Sequence, residues 1–272
     1  MLSTNLPPDR KSQMSSYIHE TAIVAPGARV GEGCHIGPFS VVGENVELAE
    51  GVRLDSHVVV DGRTTIGAGT HVFPFVSIGL APQDLKYSGE ETATEIGKRN
   101  QIREFVTIHR GTAGGGGLTK IGDDNLLMAQ AHVAHDCKLG NEIIMANAAT
   151  LAGHVEIADR ANVGAYSGVH QFCRIGSEAF VGGYSVVVKD APPFAIIQGN
   201  HAKCYGLNRV GMRRRGYAKD TIEKLHRAYH LLLSAKLNTT QALEKIKEEI
   251  QGVDEVDMLV EFYETTTRGV VK

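Results

Sequence analysis

Aliphatic side chains recur at every sixth position through most of this chain. The first series is uninterrupted: Ile18, Val24, Val30, Ile36, Val42, Leu48, Leu54, Val60, Ile66, Val72 and Ile78. After a short block at Ile96, Ile102 and Ile108, a second uninterrupted series follows: Ile121, Leu127, Val133, Leu139, Met145, Leu151, Ile157, Val163, Val169, Ile175, Val181 and Val187. An amphipathic helix repeats about every 3.6 residues and a strand every second residue, so neither produces this spacing.

A period of six with one inward aliphatic per unit is typical of a parallel β-helix, in which each hexad supplies one flat face and its corner. Three faces then close a triangular coil of about 18 residues. Glycine often follows the aliphatic residue, as at Gly31 and Gly37, where the chain must turn. The fifth place of the hexad is usually small, as at Cys34 and Ser40, because a narrow interior has little room. The sequence therefore predicts a β-solenoid of hexapeptide repeats.

Two stretches, 79–95 and 109–120, break the hexads while regular coils resume beyond each of them. Such excursions in repeat proteins tend to lie on the binding face. We expect the repeat body to span residues 16–198. Residues 1–15 are expected to form a disordered extension, which makes Met14 an alternative start to Met1.

The repeat ends after Val187, where Pro192 and Pro193 cannot continue a strand ladder. From about Asp220, a capping candidate, the apolar period changes to 3.6. Apolar residues line three helical faces: Ile222, Leu225, Tyr229 and Leu232; then Leu243, Ile246 and Ile250, preceded by the capping candidates Thr239 and Thr240; then Val256, Leu259, Val260 and Tyr263. We expect residues 199–272 to form a C-terminal α-helical domain that closes the solenoid, whose last coil would otherwise expose unpaired backbone.

Composition fits a thin aliphatic core and narrows the class of protein. The 272 residues include 31 glycines and no tryptophan, and only 6% are aromatic. A net charge of −3 argues against nucleic-acid binding by phosphate neutralisation. The four cysteines form no CxxC pair, so a reducing compartment is expected. Without a signal peptide or a long apolar stretch, the sequence predicts a cytoplasmic protein with no stable membrane insertion.

Histidines carry the chemical signal. Val133, Leu151 and Val169 are 18 residues apart, so they are expected on one face of successive coils, about 4.8 Å apart along the axis. Four histidines belong to this neighbourhood: His135, His154 and His170 in the same hexads, and His132 at the preceding corner. Asp136 follows His135, and both His109 and the glycine-rich excursion are expected to border the cluster. A single outward histidine is more often an ordinary solvated residue, but four on neighbouring coils beside two loops favour a site.

Two chemistries fit this cluster. In acyl transfer, a neutral imidazole takes the proton of an attacking hydroxyl, which suits histidine because its pKa lies near ambient pH. In a zinc enzyme of the β-helical carbonic anhydrase type, three histidines would hold the metal and activate water. A third possibility, a scaffold with incidental histidines, leaves the loops and the helical tail unexplained. The Gly114–Gly117 run is not a nucleotide-binding P-loop, because no GK[ST] follows it.

An ordered set of motifs resembles one enzyme family. The motifs are QDLKYSGE (83–90), TIHRGT (107–112), GGGLTKIG (115–122), NLLMAQAHVAHDC (125–137), ATLAGHVEI (149–157), GVHQFC (168–173), QGNHA (198–202) and RRRGY (213–217). Together they resemble the UDP-N-acetylglucosamine O-acyltransferases, which catalyse the first step of lipid A biosynthesis in Gram-negative bacteria. The similarity covers roughly residues 16–272.

The resemblance implies a left-handed β-helix, an exception to the usual right-handed crossover, and a homotrimer with sites between subunits. It implies transfer of an (R)-3-hydroxyacyl chain from acyl carrier protein to the 3-hydroxyl of UDP-N-acetylglucosamine (UDP-GlcNAc). No metal or organic cofactor is expected, because the thioester already activates the acyl group.

The resemblance also implies roles for individual residues. The catalytic residues would be His135 as general base, Asp136 as the group that orients it, and Gly153, whose backbone N–H would stabilise the oxyanion. The substrate-binding residues would be Asp84 and Lys86 for the acyl donor, His132, His154, His170 and Gln171 for the sugar and diphosphate, and Asn208 and Arg214 for the nucleotide. Three further positions complete the set: His109 beside the cluster, and Gly183 and His201 at the far end of the acyl groove.

Overall fold

Short strands wind around a common axis and form three long sheets, the faces of a triangular prism. The structure, a computed structural model, describes residues 15–233 and 235–272. The expected disordered extension over 1–15 therefore lies outside the described residues except for Ser15, and Met14 lies outside them too.

Each face collects every third strand of the solenoid, and the first face is extended at its end by β27 and β28. The first face contains β1 (Tyr17–Ile18), β4 (His35–Ile36), β7 (Arg53–Leu54), β10 (His71–Val72), β13 (Gln101–Ile102), β16 (Leu126–Leu127), β19 (Ile144–Met145), β22 (Asn162–Val163), β25 (Phe180–Val181), β27 (Ala195–Gln198) and β28 (Lys203–Leu207). The second face contains β2 (Ile23–Val24), β5 (Val41–Val42), β8 (Val59–Val60), β11 (Ser77–Leu80), β14 (Thr107–His109), β17 (His132–Val133), β20 (Thr150–Leu151), β23 (Gly168–Val169) and β26 (Val186–Val187). The third face contains β3 (Arg29–Val30), β6 (Val46–Leu48), β9 (Arg63–Ile66), β12 (Ala93–Ile96), β15 (Leu118–Ile121), β18 (Lys138–Leu139), β21 (Glu156–Ile157) and β24 (Arg174–Ile175).

The register of the faces confirms the parallel solenoid. Val133 pairs with Leu151, and Leu151 with Val169, in parallel ladders on the second face. These aliphatic side chains point into the prism and are at most 3% exposed. Burying one such side chain stabilises the fold by roughly 1.5–3 kcal/mol. The six-residue spacing thus acts through burial, because each coil contributes an aliphatic residue from each of its faces.

Three corners join the faces of the prism. We call the edge from the first to the second face the first corner, that from the second to the third face the second corner, and that from the third back to the first face the third corner. Both loop excursions leave at the second corner. They are shorter than the sequence predicted, covering residues 81–92 and 110–117, because the flanking residues pair in the ladders of β11, β12, β14 and β15.

The C-terminal part contains α1 (Arg209–Arg214), α2 (Lys219–Leu233), α3 (Thr239–Glu249) and α4 (Asp254–Glu264). The three apolar helical faces correspond to α2, α3 and α4, whereas α1 was not foreseen. Residues 199–272 are not wholly helical, since β28 pairs antiparallel with β27. Asp220 lies inside the first turn of α2 rather than capping it, and Asn238 caps α3 in place of Thr239 or Thr240, because its side chain accepts the Gln241 N–H.

None of the helices in the described residues is both long and apolar enough to cross a membrane.

Candidate active site

The predicted catalytic histidines and both excursions share the second corner. His135 lies between β17 and β18, and His154 between β20 and β21, which are two successive passages from the second to the third face. The excursion over 110–117 leaves the same edge one coil earlier, between β14 and β15. The sequence prediction that loops and histidines converge on one edge is therefore confirmed.

Equivalent places in successive coils explain the geometry of this edge. Asp136, His154 and Phe172 occupy the same corner position 18 residues apart, and each has a left-handed backbone with φ of 60°, 62° and 63°. The imidazole of His154 stacks on the ring of Phe172 with centroids 4.4 Å apart. By the same count, Gly153 is the equivalent of His135. Gly153 therefore leaves the corner open beside the His135 ring, and the stacked rings of His154 and Phe172 line the corner further along the axis.

Asp136 is a buried carboxylate that accepts three hydrogen bonds. Its Oδ1 accepts the backbone N–H of Thr112 at 2.9 Å, and its Oδ2 accepts the Thr112 hydroxyl at 2.6 Å. The same Oδ2 lies 2.8 Å from Nδ1 of His135. Because a carboxylate surrounded by donors acts as the acceptor, Nδ1 of His135 carries the proton. Nε2 of His135 is then left with a free lone pair, as a general base requires.

The glycine-rich excursion folds back onto the carboxylate of Asp136. A Cβ on Gly115 would lie 2.1 Å from Cγ of Asp136, so only glycine lets the loop approach so closely. The backbone N–H of Asp136 donates to the hydroxyl of Thr119 at 2.8 Å. Thr112 and Thr119, which support Asp136, were not among the site residues that the sequence predicted. Thr112 is 24 residues from Asp136, and its one available signal was its place in the TIHRGT motif.

Three other histidines surround His135. The ring of His154 meets that of His135 edge to face, with centroids 5.1 Å apart. The rings of His109 and His132 pack against each other at the same centroid separation. His132 lies within β17 on the second face, so its predicted place at the preceding corner was wrong. The alternation of β17 points its side chain outward, and Nδ1 lies 2.6 Å from the Thr107 hydroxyl.

Burial keeps these neighbours neutral. It lowers the pKa of His109 from 6.5 to about 4, with further lowering by His132 and His135. Burial likewise lowers the pKa of His132 and of His154. Burial also raises the pKa of Cys137, beside Asp136, to about 12, so its thiol stays protonated and is a poor nucleophile. The corner thus presents the unprotonated Nε2 of His135, while the neighbouring Cys137 stays a thiol.

The remaining predicted residues divide into two groups. Asp84 lies close enough to His154 for its charge to affect the pKa of that imidazole, and its carboxylate accepts the backbone N–H of Lys86 at 3.0 Å. His170 and Gln171 follow one coil beyond His154 at the same corner, and both are exposed. These four residues therefore belong to the edge that carries His135.

The other four predicted residues lie elsewhere in the chain. Gly183 is at the first corner, between β25 and β26, and His201 follows β27 in the segment above it. Asn208 caps α1 by accepting the Gly211 N–H, and Arg214 is exposed in the last turn of the same helix. α1 is anchored at the third corner through Arg215, whose Nε lies 2.9 Å from Glu178. One chain alone therefore does not bring these residues to His135.

His135, Asp136 and His154 are the one cluster in the described ranges that offers three metal-ligating atoms within 4.8 Å of one another. The fit to a three-histidine zinc site is poor, because the third ligand would be Asp136. Its Oδ2 already accepts hydrogen bonds from His135 and Thr112. His132 and His170 are outside this cluster. The geometry favours a hydrogen-bonded base over a metal centre.

Comparisons with known proteins also support an acyltransferase site over a metal centre. Residues 190–271 match the family model described as UDP N-acetylglucosamine O-acyltransferase, domain 2. LpxA from Acinetobacter baumannii is 46% identical over 94% of this chain and 99% of its own, with a TM-score of 0.92. The UDP-N-acetylglucosamine acyltransferase of Bacteroides fragilis is 39% identical over 94% of this chain and 100% of its own, with a TM-score of 0.92.

A third solved structure, the Francisella novicida UDP-N-acetylglucosamine acyltransferase, is 36% identical over 93% of both chains, with a TM-score of 0.91. The predicted left-handed parallel β-helix is confirmed by this likeness, and the carbonic anhydrase alternative is not favoured. Likeness of this extent, together with the hydrogen-bonded His135–Asp136 pair at the second corner, means that the chain belongs to the UDP-N-acetylglucosamine O-acyltransferase family.

Proposed function

We propose that this acyltransferase of lipid A biosynthesis uses His135 as the general base for acyl transfer to UDP-GlcNAc. The acyl donor is an (R)-3-hydroxyacyl thioester on acyl carrier protein. Nε2 of His135 takes the proton of the sugar 3-hydroxyl as its oxygen attacks the thioester carbonyl. The new C–O bond forms, the C–S bond breaks, and the imidazolium returns the proton to the departing thiolate. The 2.8 Å contact between His135 and buried Asp136 carries the proposal, because it fixes the tautomer that the base needs.

The backbone N–H of Gly153 is the proposed oxyanion donor. Within the described part of the chain this N–H has no hydrogen-bond acceptor, although it lies beside the base. A preorganised donor of this kind acts most strongly where negative charge develops in the transition state. His132, His154, His170 and Gln171 would hold the sugar and diphosphate, and His109, buried behind His132, would fix its ring.

A homotrimer would bring the separated groups together. The base lies at the second corner, Gly183 at the first, and the helix of Asn208 and Arg214 at the third. Rotational symmetry about an axis beside the prism apposes different corners of neighbouring subunits. The first corner also carries a ladder of exposed rings that supports a subunit contact: Phe39, His57, Phe75, Phe105, Tyr166 and Tyr184.

We assign the acyl-donor contacts to Asp84 and Lys86, and the far end of the acyl groove to Gly183 and His201. The nucleotide contacts fall to Asn208 and Arg214, since a guanidinium pairs well with phosphate. Cytoplasmic localisation is supported by the cysteines, which are all free: Cys34, Cys137, Cys173 and Cys204.

The function is tested with purified protein, UDP-GlcNAc and a panel of 3-hydroxyacyl carrier proteins, with products weighed by mass spectrometry. Acyl-UDP-GlcNAc is expected, at a rate that chelators leave unchanged. Sedimentation is expected to give a trimer. Stoichiometric zinc, with activity lost on chelation, would instead support the carbonic anhydrase type of site. A fully active monomer would contradict the shared site.

A further inference from the structure

The C-terminal tail returns to the solenoid at the second corner. The buried carboxylate of Asp190 accepts the Thr266 hydroxyl at 2.7 Å, and its backbone N–H donates to the carbonyl oxygen of Gly269 at 2.9 Å. The N–H of Val271 in turn donates to the carbonyl oxygen of Asp190 at 2.9 Å. Asp190 occupies the corner position equivalent to Asp136, three coils further on. The tail therefore lies along the edge that carries the catalytic histidines.

This path places Arg268 beside His170. Nη2 of Arg268 lies 3.3 Å from Nδ1 of His170. The same Nδ1 lies 3.1 Å from the carbonyl oxygen of Gln171, and one proton arrangement cannot serve both contacts. A guanidinium can only donate, and a protonated Nδ1 would face it donor to donor. A charge-assisted contact with the guanidinium outweighs a neutral one with the carbonyl, so we assign Nδ1 as the acceptor of the Arg268 N–H and place the proton on Nε2 of His170, where it can be donated to a ligand.

Arg268 makes no direct ion pair within the described residues. It is half-buried, and its Nε is buried without a hydrogen-bond partner. Among the ion pairs of residues 15–233 and 235–272, none involves Arg268 or the exposed Lys189 on the same corner. The Asp190 carboxylate is engaged by Thr266 and by the backbone N–H of Arg174. A half-buried guanidinium that has no direct ion pair and whose buried Nε lacks a hydrogen-bond partner is incompletely satisfied, so this end of the edge can accept an anion.

We infer that Arg268, acting with the Nε2–H of His170, binds a substrate phosphate in the acyl-transfer site. The inference rests on the proposed function. His135 and Gln171 hold equivalent positions two coils apart, so the phosphate would bind roughly 10 Å along the axis from the base. A guanidinium fork suits phosphate oxygens better than a point charge does. Two sources offer this chemistry: the diphosphate of the sugar nucleotide and the phosphodiester of the carrier's pantetheine arm.

The test compares Arg268→Gln and Arg268→Lys with the wild-type enzyme. Arg174→Gln is a matched control, because Arg174 donates to the carbonyl oxygen of Thr265 at 3.2 Å and so holds the same tail from the third face. KM is measured separately for UDP-GlcNAc and for the acyl carrier. Losing a charge-assisted hydrogen bond should raise one KM about tenfold or more. We expect kcat to change much less, and Arg268→Lys to recover part of the loss.

The substrate whose KM rises identifies the source of the phosphate. Unchanged KM for both substrates in folded Arg268→Gln would overturn the inference, as would an equal rise in Arg174→Gln, which would indicate tail anchoring alone. A binding measurement distinguishes failure of this inference from failure of the proposed function. Calorimetric titration with inorganic pyrophosphate needs no turnover, and weaker binding to Arg268→Gln than to wild type is expected. Equal pyrophosphate affinity would count against Arg268 even if acyl transfer to UDP-GlcNAc fails.

Discussion

Gly153 lies so close to His135 that a Cβ on the glycine would be 2.5 Å from Cε1 of the imidazole. The two residues hold equivalent positions in successive coils, and the His135 ring extends along the axis across the place where the next side chain would stand. Asp136 holds the ring in that direction through Nδ1. The absence of a side chain at position 153 is therefore a requirement for this position of the His135 ring as well as for the proposed oxyanion site.

Gly153→Ala is expected to lower turnover by at least about tenfold, because the methyl group displaces the imidazole from Asp136. Gly168→Ala is the control, since Gly168 lies in β23 on the adjoining second face and a Cβ there meets nothing within 4 Å. Steady-state kinetics and melting temperature check both variants. Full activity in Gly153→Ala would mean that the imidazole can be relocated without loss.

His135→Ala is expected to lower turnover by roughly 10²–10⁴, as the loss of a general base does. The melting temperature should barely move, since the side chain lies at the corner rather than in the core. His132→Ala is the comparison variant. If His132→Ala lost activity and His135→Ala retained it, the base would be His132.

Asp136→Asn is expected to lower turnover by a similar factor, because an amide can present its NH₂ to Nδ1 and so favours the wrong tautomer of His135. The chain offers a matched control in a second Asp–His pair, where Nε2 of His71 lies 2.9 Å from Asp55 on a lower coil. Asp55→Asn should leave kcat unchanged. An active Asp136→Asn with a normal pH profile would remove Asp136 from the mechanism.

The solenoid was predictable because one aliphatic residue recurs at every sixth position along the chain. The contacts within the candidate site were not, because they depend on where the two loop excursions fold back. Val133 and Leu151 pair as the spacing required. The contact from Thr112 to Asp136 depends on the path of the 110–117 loop, which no period encodes. The C-terminal tail was equally hidden, because Arg268 reaches His170 across 98 residues of sequence.

The pH dependence of stability should follow the buried histidines. Burial lowers the pKa of His109 from 6.5 to about 4, so the unfolded chain takes up a proton first as the pH falls. This contribution to stability is fully present above about pH 6.5 and is lost as the pH falls toward 4. His132 and His154, whose pKa values burial also lowers, act in the same direction. Glu178 opposes them, because burial raises its pKa.

Removing His109 should therefore flatten the fall in melting temperature between pH 6.5 and 4. His109→Gln is compared with His226→Gln, which changes an exposed helix residue. An unchanged slope in His109→Gln would show that this imidazole is not the group that takes up the proton.

Gly183→Met is expected to shift the acyl-chain preference toward shorter donors. The glycine is exposed at the first corner, and a Cβ there meets the carbonyl oxygen of Ala165 at 3.3 Å, so a side chain can extend outward with a small adjustment. In a trimer that outward space is the proposed acyl groove beside the neighbour's His135. Each methylene in an apolar pocket is worth roughly 1–3 kcal/mol, so a side chain that fills the end of the groove penalises long donors most.

Carrier proteins of increasing acyl length, assayed with wild type and Gly183→Met, test whether Gly183 limits the length of the acyl chain. Gly164→Met is not a usable control, because its Cβ would lie 2.5 Å from the backbone nitrogen of Gly183. Gly168→Met is suitable, since the space around that glycine is open and it lies on the second face rather than at the first corner. A shift of the preferred acyl-chain length in Gly183→Met, and not in Gly168→Met, supports this role of Gly183. A uniform loss at every length would mean that Gly183 serves the fold, because a blocked groove must discriminate between chains that reach its end and chains that do not.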